Sequence, residues 1–348
     1  MNEKIQGRIN ALVTLGEQIR SDADLENVIA HAAGANPWFT IDFCSIAVNA
    51  LTDKMLSREK LEQWLSRYEI REDDTKTRTV GIIMAGNLPL VGFHDFLCVY
   101  VAGYNIKVKL SGKDDILFKY VYEKLIQIDP SLAAKSAIIE RLEGFDAVIA
   151  TGSNNSNRYF EYYFRHYPKI LRKNRNSVAI LSGKETDEEL FGLADDIFMY
   201  FGFGCRNVSK LYVPQDYDIT KLFPYFDRYQ WMHSHTKYMN NYDYNRTLLL
   251  LNRTEHLSND VIMIQETDTI SSPASVLYFQ RYEKAEHLLD ILRLNLENIQ
   301  CIVSNDSIDL PSDLPGIVKM GYTQRPELSD YADNVDTLEF LFSLKSLN

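Results

Sequence analysis

A chain of 348 residues, 45% of them hydrophobic, is long enough for one large domain or two medium ones with a substantial core. The formal charge of −11 argues against non-specific nucleic-acid binding, which needs clustered Lys and Arg to neutralise phosphates; a local basic pocket for a phosphorylated cofactor stays compatible with it. Four widely spaced cysteines, Cys44, Cys98, Cys205 and Cys301, with no CxxC pair, fit neither a zinc site nor a disulfide framework and make a cytoplasmic location with reduced thiols the expectation.

The first eight residues are polar and lack the apolar core of a secretory signal. Residues 88–102 form the most apolar stretch, but His94 and Asp95 interrupt it, so no transmembrane helix is expected. Residues 1 to about 75 read as helical. Ile9, Leu12, Val13, Leu15 and Ile19 recur at roughly helical spacing, as do Leu56, Leu61, Trp64 and Leu65. The charged run from Arg71 to Arg78 reads as an exposed connector.

From residue 79 the pattern alternates between short apolar strands and helices. Strands are predicted at 79–85, 105–110, 137–139, 145–150 and 177–181. Helices are predicted at 90–103, 115–127, from 154 to about 166, and 185–201. This alternation is the signature of a doubly wound parallel α/β sheet. Ligands of such sheets bind beyond the carboxyl ends of the strands. Three polar, glycine-containing turns stand there: Gly86-Asn87, Ser111-Gly112 and Thr151-Gly152-Ser153. Each alone is ordinary turn chemistry, and no G-x-G-x-x-G fingerprint or P-loop is present. Their joint placement points to a nucleotide.

The stretch from Phe201 to Pro214 organises the chain. Gly202 and Gly204 precede Cys205, and an apolar strand follows. Glycines let a substrate approach the backbone closely, and a loop between a helix and a strand holds a thiol still. Backbone N–H groups or Arg206 would favour the reactive thiolate. The bland alternative is a small buried residue near a turn, the commoner fate of a free cysteine.

Beyond Cys205 a second α/β unit is expected. Its strands are placed at 210–213, 247–251, 261–264, 275–279, 300–304 and 316–321, with an amphipathic helix over 282–298. Residues 225–246, rich in Tyr, His and Asn, read as a surface loop or lid. His233 and His235 lack a third ligand, so no metal site is expected. The segment 331–344 is predicted to dock as a short apolar helix.

The order of these motifs resembles the aldehyde dehydrogenase superfamily, and most of all its acyl-CoA (fatty-acid) reductase branch of the luminescence-operon type. The resemblance spans roughly residues 78–344. Residues 86–89 look like the loop that lends an asparagine, here Asn87, to the oxyanion hole. Residues 108–111 resemble the turn whose lysine and serine, here Lys109 and Ser111, hold the adenosine ribose. Residues 150–153 are similar to the pyrophosphate turn, here Thr151, Gly152 and Ser153. Residues 202–205 resemble the nucleophile loop, and 335–341 the closing segment of the reductase branch.

Three departures stand out. The water-activating glutamate of the hydrolytic enzymes has no counterpart in Leu171–Arg175. Asp268 stands where a glutamate often meets the nicotinamide ribose. Asn157 replaces a glycine expected after the pyrophosphate turn. Missing water activation favours an acyl-thioester chemistry over an acid-forming one.

The resemblance implies an aldehyde-dehydrogenase-like α/β fold. The domains would be a helical N-terminal segment plus cofactor domain over 1–203, a catalytic domain over 204–321, and a tail over 322–348. The reaction it implies reduces an acyl thioester such as acyl-CoA to the aldehyde with NAD(P)H, through an acyl-Cys205 intermediate. Lys109 and Lys113 would meet a 2′-phosphate, so NADPH is expected, with NADH open. An acyl-transferring partner protein and a homo-oligomer are further expectations. The alternatives are a CoA-acylating aldehyde dehydrogenase running oxidatively and a non-reducing acyl-carrying or scaffold subunit.

Overall fold

The computed structural model describes residues 3–69, 78–305 and 310–344; the charged run 71–77 lies outside them. The described chain divides into two compact units, Met1–Asn174 with Glu327–Asn348, and Arg175–Pro326.

The first unit opens with four helices, α1 (Glu3–Arg20), α2 (Leu25–Ala35), α3 (Ile41–Ala50) and α4 (Arg58–Leu65). Ile5, Ile9, Leu12, Leu15 and Ile19 line the buried face of α1, as the helical spacing predicts. Then β1 (Thr79–Ile83), α5 (Phe93–Ala102), β2 (Asn105–Lys109), α6 (Ile116–Ile128), β3 (Ser136–Ile138), β4 (Ala147–Thr151), α7 (Asn154–Tyr163) and β5 (Lys169–Arg172) alternate. The five strands form one parallel sheet in the order β3-β2-β1-β4-β5. The order reverses at β1, which pairs with β2 on one side and β4 on the other. α5 is buried all round, with Phe96 edge-on to Phe118 of α6, which explains why its sequence is too apolar to look amphipathic.

The second unit begins with β6 (Asn176–Ile180) and α8 (Asp187–Phe198), followed by β7 (Val208–Pro214). Two short turns of helix, the first a 3-10 turn and the second α9 (Phe223–Phe226), lead through a 3-10 segment into α10 (Thr236–Leu251). The strands β8 (Leu257–Ser258), β9 (Met263–Glu266) and β10 (Val276–Tyr282) follow. α11 (Ala285–Leu294), β11 (Ile299–Val303) and β12 (Ile317–Val318) complete the unit. The sheet order is β12-β11-β6-β7-β10-β9-β8, parallel except for the edge strand β8. The chain then returns to the first unit through α12 (Thr337–Leu344). There Trp64 donates to Tyr331 Oη at 2.8 Å, and Tyr104 Oη donates to the Leu341 carbonyl at 2.7 Å.

Several expectations need correction. The boundary expected at residue 203 lies inside the second unit, because β6 pairs with β7 and β11 and not with the first sheet. The fifth strand of the first sheet is β5, whose four residues are too few to show a period. Residues 247–251 are the end of α10, not a strand. Leucine is a good helix former without β-branching, and four in a row carry no alternation. Residues 225–246 are helical, not a loop or lid. Tyr238, Tyr242 and Asn245 turn inward at helical spacing, and tyrosines supplied the apolar stripe that polar neighbours hid. The stretch 316–321 is reduced to the two residues of β12.

Candidate active site

The first sheet aims its strand ends at a cluster of polar turns. β1 ends at Ile83, and the loop 84–92 carries Asn87, which is exposed. β2 ends at Lys109, also exposed, and the next turn carries Ser111. These two turns touch. A side chain added at Gly86 would meet Ser111 Oγ at 2.5 Å and the Asp114 nitrogen at 3.2 Å. The Met84 N–H donates to the Lys109 carbonyl at 3.0 Å. Ser111 Oγ accepts from the Lys113 N–H at 3.3 Å.

The third turn lies across the reversal in strand order. β4 ends at Thr151, and Ser153 caps α7 by accepting from the Ser156 N–H at 3.2 Å. Unsatisfied N–H groups at such a helix start favour an anionic group. Asn157 fixes this turn from beneath. Its Nδ2 donates to the carbonyls of Gly152 (3.1 Å), Ser153 (3.3 Å) and Arg172 (2.7 Å). The residue is buried and its Oδ1 has no hydrogen-bond partner. Asn157 therefore ties the end of β4 to the end of β5. In the sequence alone Asn157 stands out only as the residue in place of an expected glycine.

The stretch expected to lack an acidic base sits at that same strand end. Arg172 is buried, and its Nη2 donates to Asp95 Oδ1 at 2.6 Å and Thr337 Oγ1 at 2.9 Å. Its Nη1 donates to the Ala332 carbonyl at 2.6 Å. Leu171–Arg175 thus carries a buried, ion-paired cation, Arg172, and no carboxylate.

In the second unit, α8 ends at Phe198 and the chain turns sharply before Cys205. Tyr200, Phe201 and Gly202 have φ of 53°, 58° and 75°. Left-handed backbone is costly for residues with a side chain. Packing holds it here: Phe201 is buried, with its ring 4.3 Å from that of His235 and 5.7 Å from that of Tyr238. His235 also caps α10, with Nδ1 accepting from the Tyr238 N–H at 3.2 Å. Among the described residues no group of three or more His, Cys, Asp or Glu is placed to hold a metal ion.

Cys205 is half-exposed, whereas Cys44, Cys98 and Cys301 are buried. Burial pushes the Cys44 thiol up to about 12 and the Cys98 thiol well above its ordinary value. The Cys205 carbonyl accepts from Ser177 Oγ at 3.0 Å. Asn207, also buried, donates from Nδ2 to the carbonyls of Asp196 (3.3 Å) and Met199 (2.7 Å). The loop is thus pinned to β6 and to the end of α8. Arg206, expected to assist the thiol, donates from Nη1 to Cys301 Sγ at 3.4 Å.

A further group was not legible in the sequence. Lys210 on β7 is fully buried, and its Nζ donates to the Thr267 carbonyl at 2.6 Å and to Gln280 Oε1 at 2.9 Å. Burial lowers it to about 8, with Asp268 acting the other way. Ser209 Oγ donates to the Ile270 carbonyl at 2.8 Å. Two consecutive residues of β7 therefore fix the segment carrying Asp268, which is itself exposed.

No protein-family model and no curated protein matches the sequence. Solved structures do match over nearly the whole chain. The Mycobacterium tuberculosis aldehyde dehydrogenase complexed with NAD+ superposes with a TM-score of 0.66 at 12% identity, over 91% of this chain and 77% of that one. Aldehyde dehydrogenase 21 from Physcomitrella patens, in complex with succinate, gives 0.70 at 11% identity, over 97% and 84%. The glyceraldehyde-3-phosphate dehydrogenase GapN of Methanocaldococcus jannaschii, complexed with NADP, gives 0.65 at 13%, over 92% and 82%. The fold is that of the aldehyde dehydrogenases. Among the described residues no helix is long and apolar enough to cross a membrane.

Proposed function

We propose that the protein is a nicotinamide-dependent oxidoreductase that reduces an acyl thioester, such as an acyl-CoA, to the aldehyde through an acyl-Cys205 intermediate. The observation that carries this reading is that Cys205 is the one half-exposed cysteine of four, on a pinned loop in an aldehyde dehydrogenase fold.

The first unit has the features a nicotinamide cofactor needs. The turns after β1 and β4 flank the reversal in strand order, with the turn after β2 beside that of β1, where open α/β sheets bind nucleotides. Ser153 and the start of α7 suit a pyrophosphate, with Thr151 and Gly152 leading into that turn. Lys109 and Ser111 suit the ribose, and Lys109 with Lys113 a 2′-phosphate, which favours NADPH over NADH. When bound, the cofactor supplies the hydride.

Cys205, as thiolate, attacks the thioester carbonyl carbon, forming a new C–S bond. The oxyanion is stabilised by the Cys205 backbone N–H and by the Asn87 side-chain amide; losing one such donor costs ~10²–10³ in rate. The C–S bond to coenzyme A breaks, and coenzyme A leaves as a thiolate that takes up a proton. After reduction, the thiohemiacetal on Cys205 collapses, releasing aldehyde and restoring the Cys205 thiolate. Leu171–Arg175 offers no carboxylate to activate water, which protects the acyl-enzyme from hydrolysis.

The oxidative, CoA-acylating direction uses the same groups in reverse. It is favoured by one finding: the neighbouring structures are named as dehydrogenases, several holding NAD+.

Intact-protein mass after mixing with a panel of acyl-CoAs, with and without NADPH, tests the proposal. A Cys205-dependent acyl adduct that NADPH discharges as aldehyde is the expected result. An adduct indifferent to both nicotinamide cofactors would point to an acyl carrier, and no adduct with any acyl-CoA would overturn the thioester reading.

A further inference from the structure

The Asn87 loop contains an unusual residue. Leu90 has a φ of 58° and is buried. A branched side chain in left-handed backbone costs roughly 1–2 kcal/mol, and a buried N–H needs an acceptor. The acceptor is a carboxylate from the neighbouring turn: Leu90 N–H donates to Asp114 Oδ2 at 2.7 Å. Asp114 begins no strand or helix. Its own N–H closes the turn by donating to the Ser111 carbonyl at 3.2 Å. The turn is held from a third side by the residue that ends α2, Asn36, whose Nδ2 donates to the Lys113 carbonyl at 3.0 Å.

Asp114 is an expensive way to hold one N–H. It is buried, and its second oxygen, Oδ1, has no hydrogen-bond partner. A buried carboxylate is costly unless fully paired. An apolar residue would serve packing better. What an apolar residue cannot do is join the two turns by accepting the buried Leu90 N–H.

We propose that Asp114 is a positioning residue, which fixes the Asn87 loop and the Ser111 turn against each other through Leu90 N–H. Gly86 completes the joint, since any side chain there would strike Ser111. One carboxylate thus sets the approach of the oxyanion donor and the shape of the cofactor turn together. The assignment rests on the proposed reductase reading for its consequence, but not for its geometry.

Two variants separate the roles. Asp114→Ala removes the acceptor. Asp114→Asn keeps an oxygen for Leu90 N–H. Val121→Ala, in the buried face of α6, controls for plain loss of stability. Three quantities are read: hydrogen exchange of the Leu90 amide, the rate of Cys205 acylation, and the affinity for NADPH. In the wild type and Asp114→Asn the Leu90 amide is protected. In Asp114→Ala it exchanges freely and acylation slows by about 10²-fold, the scale of an ångström of misplacement. NADPH affinity falls as well, and Val121→Ala changes none of the three.

Unchanged Leu90 exchange and unchanged acylation in folded Asp114→Ala would overturn the assignment. So would a loss in Asp114→Asn as large as in Asp114→Ala. If Asp114→Ala does not fold, free exchange of Leu90 in the wild type overturns it, and protection in both the wild type and Asp114→Asn supports it. If the wild type forms no acyl-Cys205 at all, the reductase reading fails by itself; Leu90 exchange and NADPH affinity then still decide the role of Asp114.

Discussion

Arg172 and Asp95 form a buried ion pair, Nη2 to Oδ1 at 2.6 Å, that joins the end of β5 to the first turn of α5. The same guanidinium holds Thr337 and the Ala332 carbonyl. Three separate parts of the first unit therefore share one cation. Burial opposes the charge, but the Asp95 carboxylate beside it keeps Arg172 above its ordinary value.

Removing one partner of such a pair leaves an uncompensated buried charge. Asp95→Ala should lower stability by about 3–5 kcal/mol. Replacing both partners with apolar residues, Asp95→Leu with Arg172→Met, should cost less than the single change. Urea unfolding of the three proteins checks this. A single substitution as mild as the double one would show that the pair does not bear on the docking of the C-terminal segment.

Thiol reactivity should be sharply unequal. Only the thiolate reacts quickly, and burial raises Cys44 and Cys98 far above neutral pH. A disulfide reagent added to native protein should modify one thiol fast, and Cys205→Ala should remove that phase. The same variant should bind NADPH and have no turnover. A fast phase that survives in Cys205→Ala would move the accessible thiol elsewhere.

Asp114 makes stability depend on pH in a defined direction. Burial raises its carboxyl from 3.8 to about 7, with the Leu90 N–H working against the rise. Between those values the folded chain holds a proton that the unfolded chain has released. Stability contributed here must fall as pH climbs from about 4 to about 7. Asp114→Asn carries no titrating proton. Its denaturation midpoint relative to wild type should therefore be higher at pH 8 than at pH 5. Equal differences at the two pH values would mean that the carboxyl titrates normally.

Asn157→Ala should remove the Nδ2 donor from the carbonyls of Gly152, Ser153 and Arg172, while the Ser153 carbonyl keeps the backbone N–H of residue 157 and the Arg172 carbonyl that of Gly152. A buried group left unsatisfied costs about 1–3 kcal/mol, and here the loss falls mainly on the half-buried Gly152 carbonyl, partly recovered where water enters. The variant should lose stability and bind NADPH more weakly, because the start of α7 is released from β5. Titration by cofactor fluorescence gives the second quantity. Unchanged affinity in a destabilised protein would confine Asn157 to a purely structural part.

Where hydrophobic periodicity is strong, the sequence by itself determined the element. Apolar spacing in α1 and short apolar runs between polar turns made the helical opening and most strands of both sheets legible. So were the turns with Asn87, Ser111 and Gly152-Ser153, because turns are built by local residue types. Misreadings came where local pattern is silent. The four leucines ending α10 have no period, and β5 is too short to have one. Tertiary structure alone decided to which sheet β6 belongs, since strand pairing is a long-range choice that no window of sequence contains. It alone brought Asp114 to Leu90, Asn157 to Arg172 and Lys210 to Thr267. A buried polar side chain has to find its partner wherever folding leaves one, so its role becomes visible only when the chain has closed around it.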